Sequence, residues 1–77
     1  MTTKEIILYI EKRKKEYAEN GASVYRCKAS DIAYELGLKN RFPMICSAMN
    51  QCKNYDDIVV HETPSGQSST YEIEYKL

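Results

Sequence analysis

Apolar residues return along the first third of the chain in a helical rhythm. In "TKEIILYIEKRKKEYAE", Ile6, Ile7, Ile10, Tyr17 and Ala18 fall on one side of a 3.6-residue period. That spacing predicts a helix over about residues 3–19 with those five positions facing inward. Thr2 and Glu5 stand at capping-box spacing, which satisfies free N–H groups at a helix start. Gly21, after "EN", can take the left-handed conformation that closes a helix. The next block, "ASVYRC" (residues 22–27), is rich in strand formers and predicts a short strand. "ASDIAYELGL" returns to the helical period, with Ser30 as the expected cap, Ile32, Ala33 and Leu36 inward, and Gly37 as the stop. After a corner that contains Leu38, Asn40 is placed to cap a third helix, and Pro43 is tolerated in its first turn. Ile45, Ala48, Met49 and Cys52 then make a core-facing stripe.

The tail changes period. In "YEIEYKL", Tyr71, Ile73, Tyr75 and Leu77 alternate with Glu72, Glu74 and Lys76, as in a half-buried strand. "DIVVHE" is its natural partner, and "TPSGQSS" between them is a turn centred on Gly66. With Ser65 and Gly66 at the turn, Thr63 pairs with Ser68, Val60 with Tyr71 and Ile58 with Ile73. That register places the four apolar residues on one side, and it sets Asp57 against Glu74, an unfavourable like-charge pair. The expected class is α+β: helix, strand, helix, helix, then a C-terminal β-hairpin, in a single domain spanning residues 1–77.

Composition narrows the function classes. Seventy-seven residues, 43% apolar and 29% charged, suit one small globular unit with no room for a deep cleft. No apolar run approaches the ~20 residues of a membrane span. The N-terminal apolar block "IILYI" is too short for a signal-peptide core, so a cytoplasmic location is expected. The three cysteines, Cys27, Cys46 and Cys52, are odd in number and form no CxxC, which argues against a disulfide framework. With His61 they make four potential zinc ligands, but Cys46 and Cys52 lie six apart on a predicted helix, roughly 120° from each other. Small buried thiols are the simpler reading. No nucleophile–base pair and no phosphate-cradling glycine loop can be assembled, so neither an enzyme nor a cofactor or small-molecule site is expected. Cys46, near a helix start, has no base partner, and His61 reads as a solvated strand residue.

Charge is unevenly spread although it sums to zero. Residues 1–20 carry +1, residues 21–55 carry +3 and residues 56–77 carry −4. Within the first segment, "KRKK" at 12–15 is flanked by Glu11 and Glu16 and reads as a solvated helix face rather than a phosphate patch. The basic middle third hints at a face that meets an anion.

The element order, "DIAYELGL" as the second helix of the unit and "IVVHETPSGQSSTYEIEY" as strand, wing and strand resemble the winged helix-turn-helix superfamily over nearly the whole chain. The sequence departs from the compact motif at one point. Six residues after the turn glycine, where an apolar side chain is usual, stands Pro43; the nearest suitable residue is Ile45, so the corner is about two residues longer. The resemblance implies binding to double-stranded DNA, with the third helix in the major groove and the wing on the backbone or in the minor groove. With the core stripe inward, Pro43, Ser47, Asn50 and Asn54 face outward, flanked by Met44 and Gln51 on one side and Cys46 and Lys53 on the other. Ser47, Asn50 and Gln51 have the chemistry to read base edges, and Asn and Gln can pair bidentately with adenine. Lys28, Lys39, Arg41 and Lys53 are candidate phosphate contacts, with Asn40 and Asn54 beside them. The wing tip, Ser65, Gly66, Gln67 and Ser68, is uncharged but able to hydrogen-bond phosphate. A protein-interaction module is the alternative, supported by the neutral total charge, the acidic tail and seven tyrosines, with a homodimer as one form.

Overall fold

The computed structural model describes residues 1–61 and 70–77. Helix α1 spans Thr3–Glu19, strand β1 Val24–Lys28, helix α2 Ala29–Leu36, helix α3 Phe42–Gln51, strand β2 Ile58–His61 and strand β3 Glu72–Lys76. Three helices and one three-stranded antiparallel sheet thus follow each other in the expected α-β-α-α-β-β order. The sheet order is β1-β3-β2, so the last strand is the central one. The wing-tip residues Ser65, Gly66, Gln67 and Ser68, with the predicted turn, lie outside the described residues.

α1 starts as its sequence requires. The Glu5 N–H donates to Thr2 Oγ1 at 3.2 Å, and the Thr2 N–H donates to Glu5 Oε1 at 3.0 Å. Its buried stripe is Ile6, Ile10 and Lys14, not Tyr17 and Ala18, which are exposed. Lys14 follows the isoleucines at four-residue spacing, and its stem takes the apolar path a leucine would take. Only 9% of it remains exposed. Its ammonium donates to the Cys52 carbonyl at 3.3 Å, at the C-terminal end of α3, and lies 4.7 Å from the centre of the Tyr75 ring. A cation suits both the negative end of a helix and the face of an aromatic ring. The "KRKK" run is therefore not a uniformly solvated face.

α2 emerges directly from β1. Lys28 is its N-cap residue, and Ser30 lies inside the first turn instead of capping it. The Ala29 N–H is satisfied across the sheet, by the Tyr71 carbonyl at 2.9 Å. Gly37 ends α2 in the left-handed region at φ 66°, and the Leu38 N–H returns to the Ala33 carbonyl at 2.8 Å. A methyl group added at Gly37 meets nothing within 4 Å, so its cost is conformational alone. Gly37→Ala is expected to lower stability by about 1 kcal/mol in urea denaturation, with an unchanged m-value.

Asn40 does not cap α3. It adopts φ 55°, a positive value that asparagine tolerates, and Arg41 is the N-cap residue without a side-chain bond. The core stripe of α3 is as expected: Ile45, Ala48, Met49 and Cys52 are all buried. Cys46, placed by periodicity on an outer flank, is buried as well, because helices and sheet enclose more than one stripe of α3. The helix ends at Gln51, so Lys53 and Asn54 lie beyond it rather than on its outward face.

The hairpin register differs from the expected one by one residue. Ile58 faces Glu74 and Val59 faces Ile73; a bulge then brings His61 opposite Glu72. A one-residue slip exchanges the two faces of a strand. Val59 accordingly packs on the core, whereas Ile58 is 50% exposed and Val60 is also exposed. Asp57 is not set against Glu74. Its carboxylate is buried and accepts two backbone N–H groups, from Asn54 at 2.7 Å and from Lys76 at 2.6 Å. These bonds hold the β2 entry in the observed register. One core contains α1, α2, α3 and the inner face of the sheet: Tyr25 and Cys27 from β1, Tyr71, Ile73 and Tyr75 from the last strand segment. The buried Tyr75 hydroxyl donates to the Met49 carbonyl at 2.7 Å, joining β3 to α3.

Candidate nucleic-acid interface

α3 is amphipathic: with one side in the core, Ser47, Asn50 and Gln51 stand exposed on the other. Their three- and four-residue spacing places them on a common face. They are not independent. Gln51 Nε2 donates to Ser47 Oγ at 3.3 Å, and the Tyr71 hydroxyl donates to Asn50 Oδ1. Tyr71 was legible in the sequence as an inward strand position, but its part in this surface was not. The available signal is general: a buried tyrosine hydroxyl needs an acceptor, and helix α3 supplies it.

The corner before α3 brings Lys39, Asn40 and Arg41 together in sequence, all exposed. Lys39 and Arg41 form no salt bridge among the described residues. The first turn of α3 carries no acidic residue, so its free N–H groups add to a positive corner. Lys28 is half-buried where β1 becomes α2. Lys53 bends its ammonium to within 3.5 Å of the Asn54 carbonyl, and the Asn54 N–H is taken by Asp57. The corner and the helix face thus form one candidate surface, whereas Lys53 and Asn54 belong to the turn after α3.

The acidic tail is partly neutralised where it lies. On the outer face of the sheet Arg26 bridges Glu74 at 3.2 Å and approaches Glu72 at 4.0 Å, while Lys76 reaches Glu74 at 3.2 Å. Hydrogen bonds from Lys76 and Arg26 hold the Glu74 carboxyl below its usual range. Arg26 is therefore committed to this ladder; of the four other cations of the basic third, none forms an ion pair among the described residues, and Lys39 and Arg41 are the two that are exposed.

All three cysteines are buried thiols, and burial pushes Cys27 and Cys52 up to about 12, far from the thiolate state at neutral pH. Tyr9 is raised to about 12 by desolvation and by its 2.6 Å hydrogen bond to Glu35, and burial raises Tyr25 and Tyr75 further. Among the described residues no group of three or more His, Cys, Asp or Glu side chains is placed to hold a metal ion. None of the described helices is long and apolar enough to cross a membrane. No protein-family model, no curated protein and no solved structure matches the chain.

Proposed function

We propose that this chain is a winged helix domain that binds double-stranded DNA, as a transcriptional or accessory regulator, with α3 in the major groove and the β2–β3 hairpin against the backbone. The observation that carries the reading is the exposed face of α3. Ser47, Asn50 and Gln51 project from a helix whose other side is locked in the core, directly after the exposed Lys39 and Arg41. Base-reading side chains on a rigid helix and phosphate-binding cations at its start are the two parts that groove recognition needs. The element order and the sheet order β1-β3-β2 support the same reading, as does the Tyr75 hydroxyl bonded to the Met49 carbonyl, which ties β3 to α3.

Lys28, Lys39, Arg41 and Lys53 are the phosphate contacts in this reading. Roughly three to four such contacts give a slope of log K against log salt of about −3 to −4. In a fluorescence titration with mixed-sequence duplex, binding is expected in the micromolar range at low salt. Arg41→Ala and Lys39→Ala are each expected to weaken it and to reduce the slope by about 1. No binding at tens of micromolar would sink the proposal.

A second reading rests on Tyr34 and Tyr55, which are 88% and 102% exposed. Exposed tyrosines suit a protein interface. In that reading the domain joins a protein partner or a second copy, and duplex DNA does not compete. Sedimentation across a concentration series tests the homodimer form, which a monomer at every concentration removes.

A further inference from the structure

The exposed side chains of α3 do not keep all their hydrogen-bonding functions for a partner. Asn50 and Gln51 each carry an acceptor oxygen and an NH2 group, and the Ser47 hydroxyl both donates and accepts. A free amide suits adenine, whose major-groove edge sets an acceptor beside a donor. Here the Tyr71 hydroxyl donates to Asn50 Oδ1. Tyr71 is buried, and its backbone carbonyl holds the Ala29 N–H at the start of α2, so this donor belongs to the frame of the fold. The amide oxygen is turned toward Tyr71 and the NH2 group away from it. The Gln51 side chain donates to Ser47 Oγ, which uses Ser47 as an acceptor and leaves its O–H proton to point elsewhere.

Resting on the DNA-binding reading above, we infer that α3 presents hydrogen-bond donors at Asn50 and Ser47 and so reads guanine in preference to adenine, with Tyr71 as the positioning residue that sets the Asn50 amide. Guanine offers two adjacent acceptors, N7 and O6; adenine offers N7 beside the N6 donor. The bond from Tyr71 engages one of the two lone pairs of the Asn50 oxygen and turns that oxygen toward the fold, so it is the NH2 group that is presented to a base. The outward NH2 then meets a second donor on adenine and a second acceptor on guanine. Gln51 keeps Oε1 for a donor on a neighbouring pair.

The test is a binding selection from a randomised duplex pool at low salt, with the wild-type chain, Asn50→Asp and Tyr71→Phe. The wild type is expected to enrich guanine over adenine roughly tenfold at one position. Asn50→Asp keeps an acceptor for Tyr71 but loses the donor, so the same position turns to cytosine, whose N4 donates. Tyr71→Phe releases the amide, and the guanine-to-adenine ratio there falls toward one. Asn50 is exposed, so Asn50→Asp reads the proposal even where Tyr71→Phe does not fold. Adenine enrichment by the wild type, binding without base preference, an unchanged position in Asn50→Asp, or an unchanged ratio in folded Tyr71→Phe overturns this inference and leaves DNA binding standing. Loss of all duplex binding overturns both.

Discussion

Ile73→Ala is expected to lower the unfolding free energy by about 3–4 kcal/mol, whereas Ile58→Ala is expected to change it by less than about 1 kcal/mol. Ile73 is fully buried on the central strand, between Cys27 of β1 and Val59 of β2. Its truncation removes three methyl or methylene groups from a site walled on both sides by backbone that cannot collapse without breaking a ladder. Ile58 faces Glu74 on the outer side of the sheet and is half exposed, so little apolar area returns to water when it is shortened. A domain of this length holds about 4–12 kcal/mol in total, so the first variant uses a large part of the margin. Urea denaturation followed by circular dichroism measures both. Comparable losses in the two variants would mean that Ile58 and Ile73 share the inner face, and the observed register would be wrong.

Asp57→Ala is expected to cost about 3 kcal/mol. The carboxylate accepts the Asn54 and Lys76 N–H groups, and each orphaned donor costs about 1–3 kcal/mol. The loss is placed at the lower part of the combined range because Asn54 and Lys76, which supply the two N–H groups, are themselves exposed residues. Asp57→Asn keeps one acceptor oxygen for two donors and is expected to lose about half as much. Amide exchange at Asn54 and Lys76 should quicken in both variants more than at Ile45 or Met49, whose helix is bonded within itself. A change below about 1 kcal/mol in Asp57→Ala would show that the two bonds do not hold the loop. The same carboxylate joins the turn after α3 to the last strand, so its loss should loosen that turn at Asn54 before it disturbs the candidate surface at Ser47 and Asn50.

Local periodicity made much of this architecture legible. The Thr2–Glu5 box, the stop at Gly37 and the stripe Ile45, Ala48, Met49 and Cys52 depend on a few neighbouring residues, and each stands where the pattern places it. The misplacements have one cause in common, which is competition from distant groups. Ser30 is displaced as cap because the Tyr71 carbonyl, 41 positions away in the chain, satisfies the start of α2. Tyr17 yields the inner face of α1 to Lys14 because the Cys52 carbonyl and the Tyr75 ring lie there to receive a cation. The register slips by one because Asp57 finds two backbone donors, which outweighs the apolar alternation of Ile58 and Val60.

The candidate surface divides in the same way. Its members on α3 and at the corner, Lys39, Arg41, Ser47, Asn50 and Gln51, follow from polarity and period alone, since they are polar positions that the inward stripe leaves outside. Which of their atoms remain available does not follow, because Tyr71 and Asn50 meet only when β3 closes against α3. By itself, then, the amino-acid sequence determined the number and order of the elements, the capping box of α1, the glycine stop of α2 and the polarity of the outward helix face, through interactions spanning a few residues. Only the tertiary structure decided the strand order β1-β3-β2, the hairpin register, the burial of Lys14 and Asp57, and the orientation of the Asn50 amide. Those outcomes depend on hydrogen-bond partners far apart in the chain, for which no local spacing is a signal.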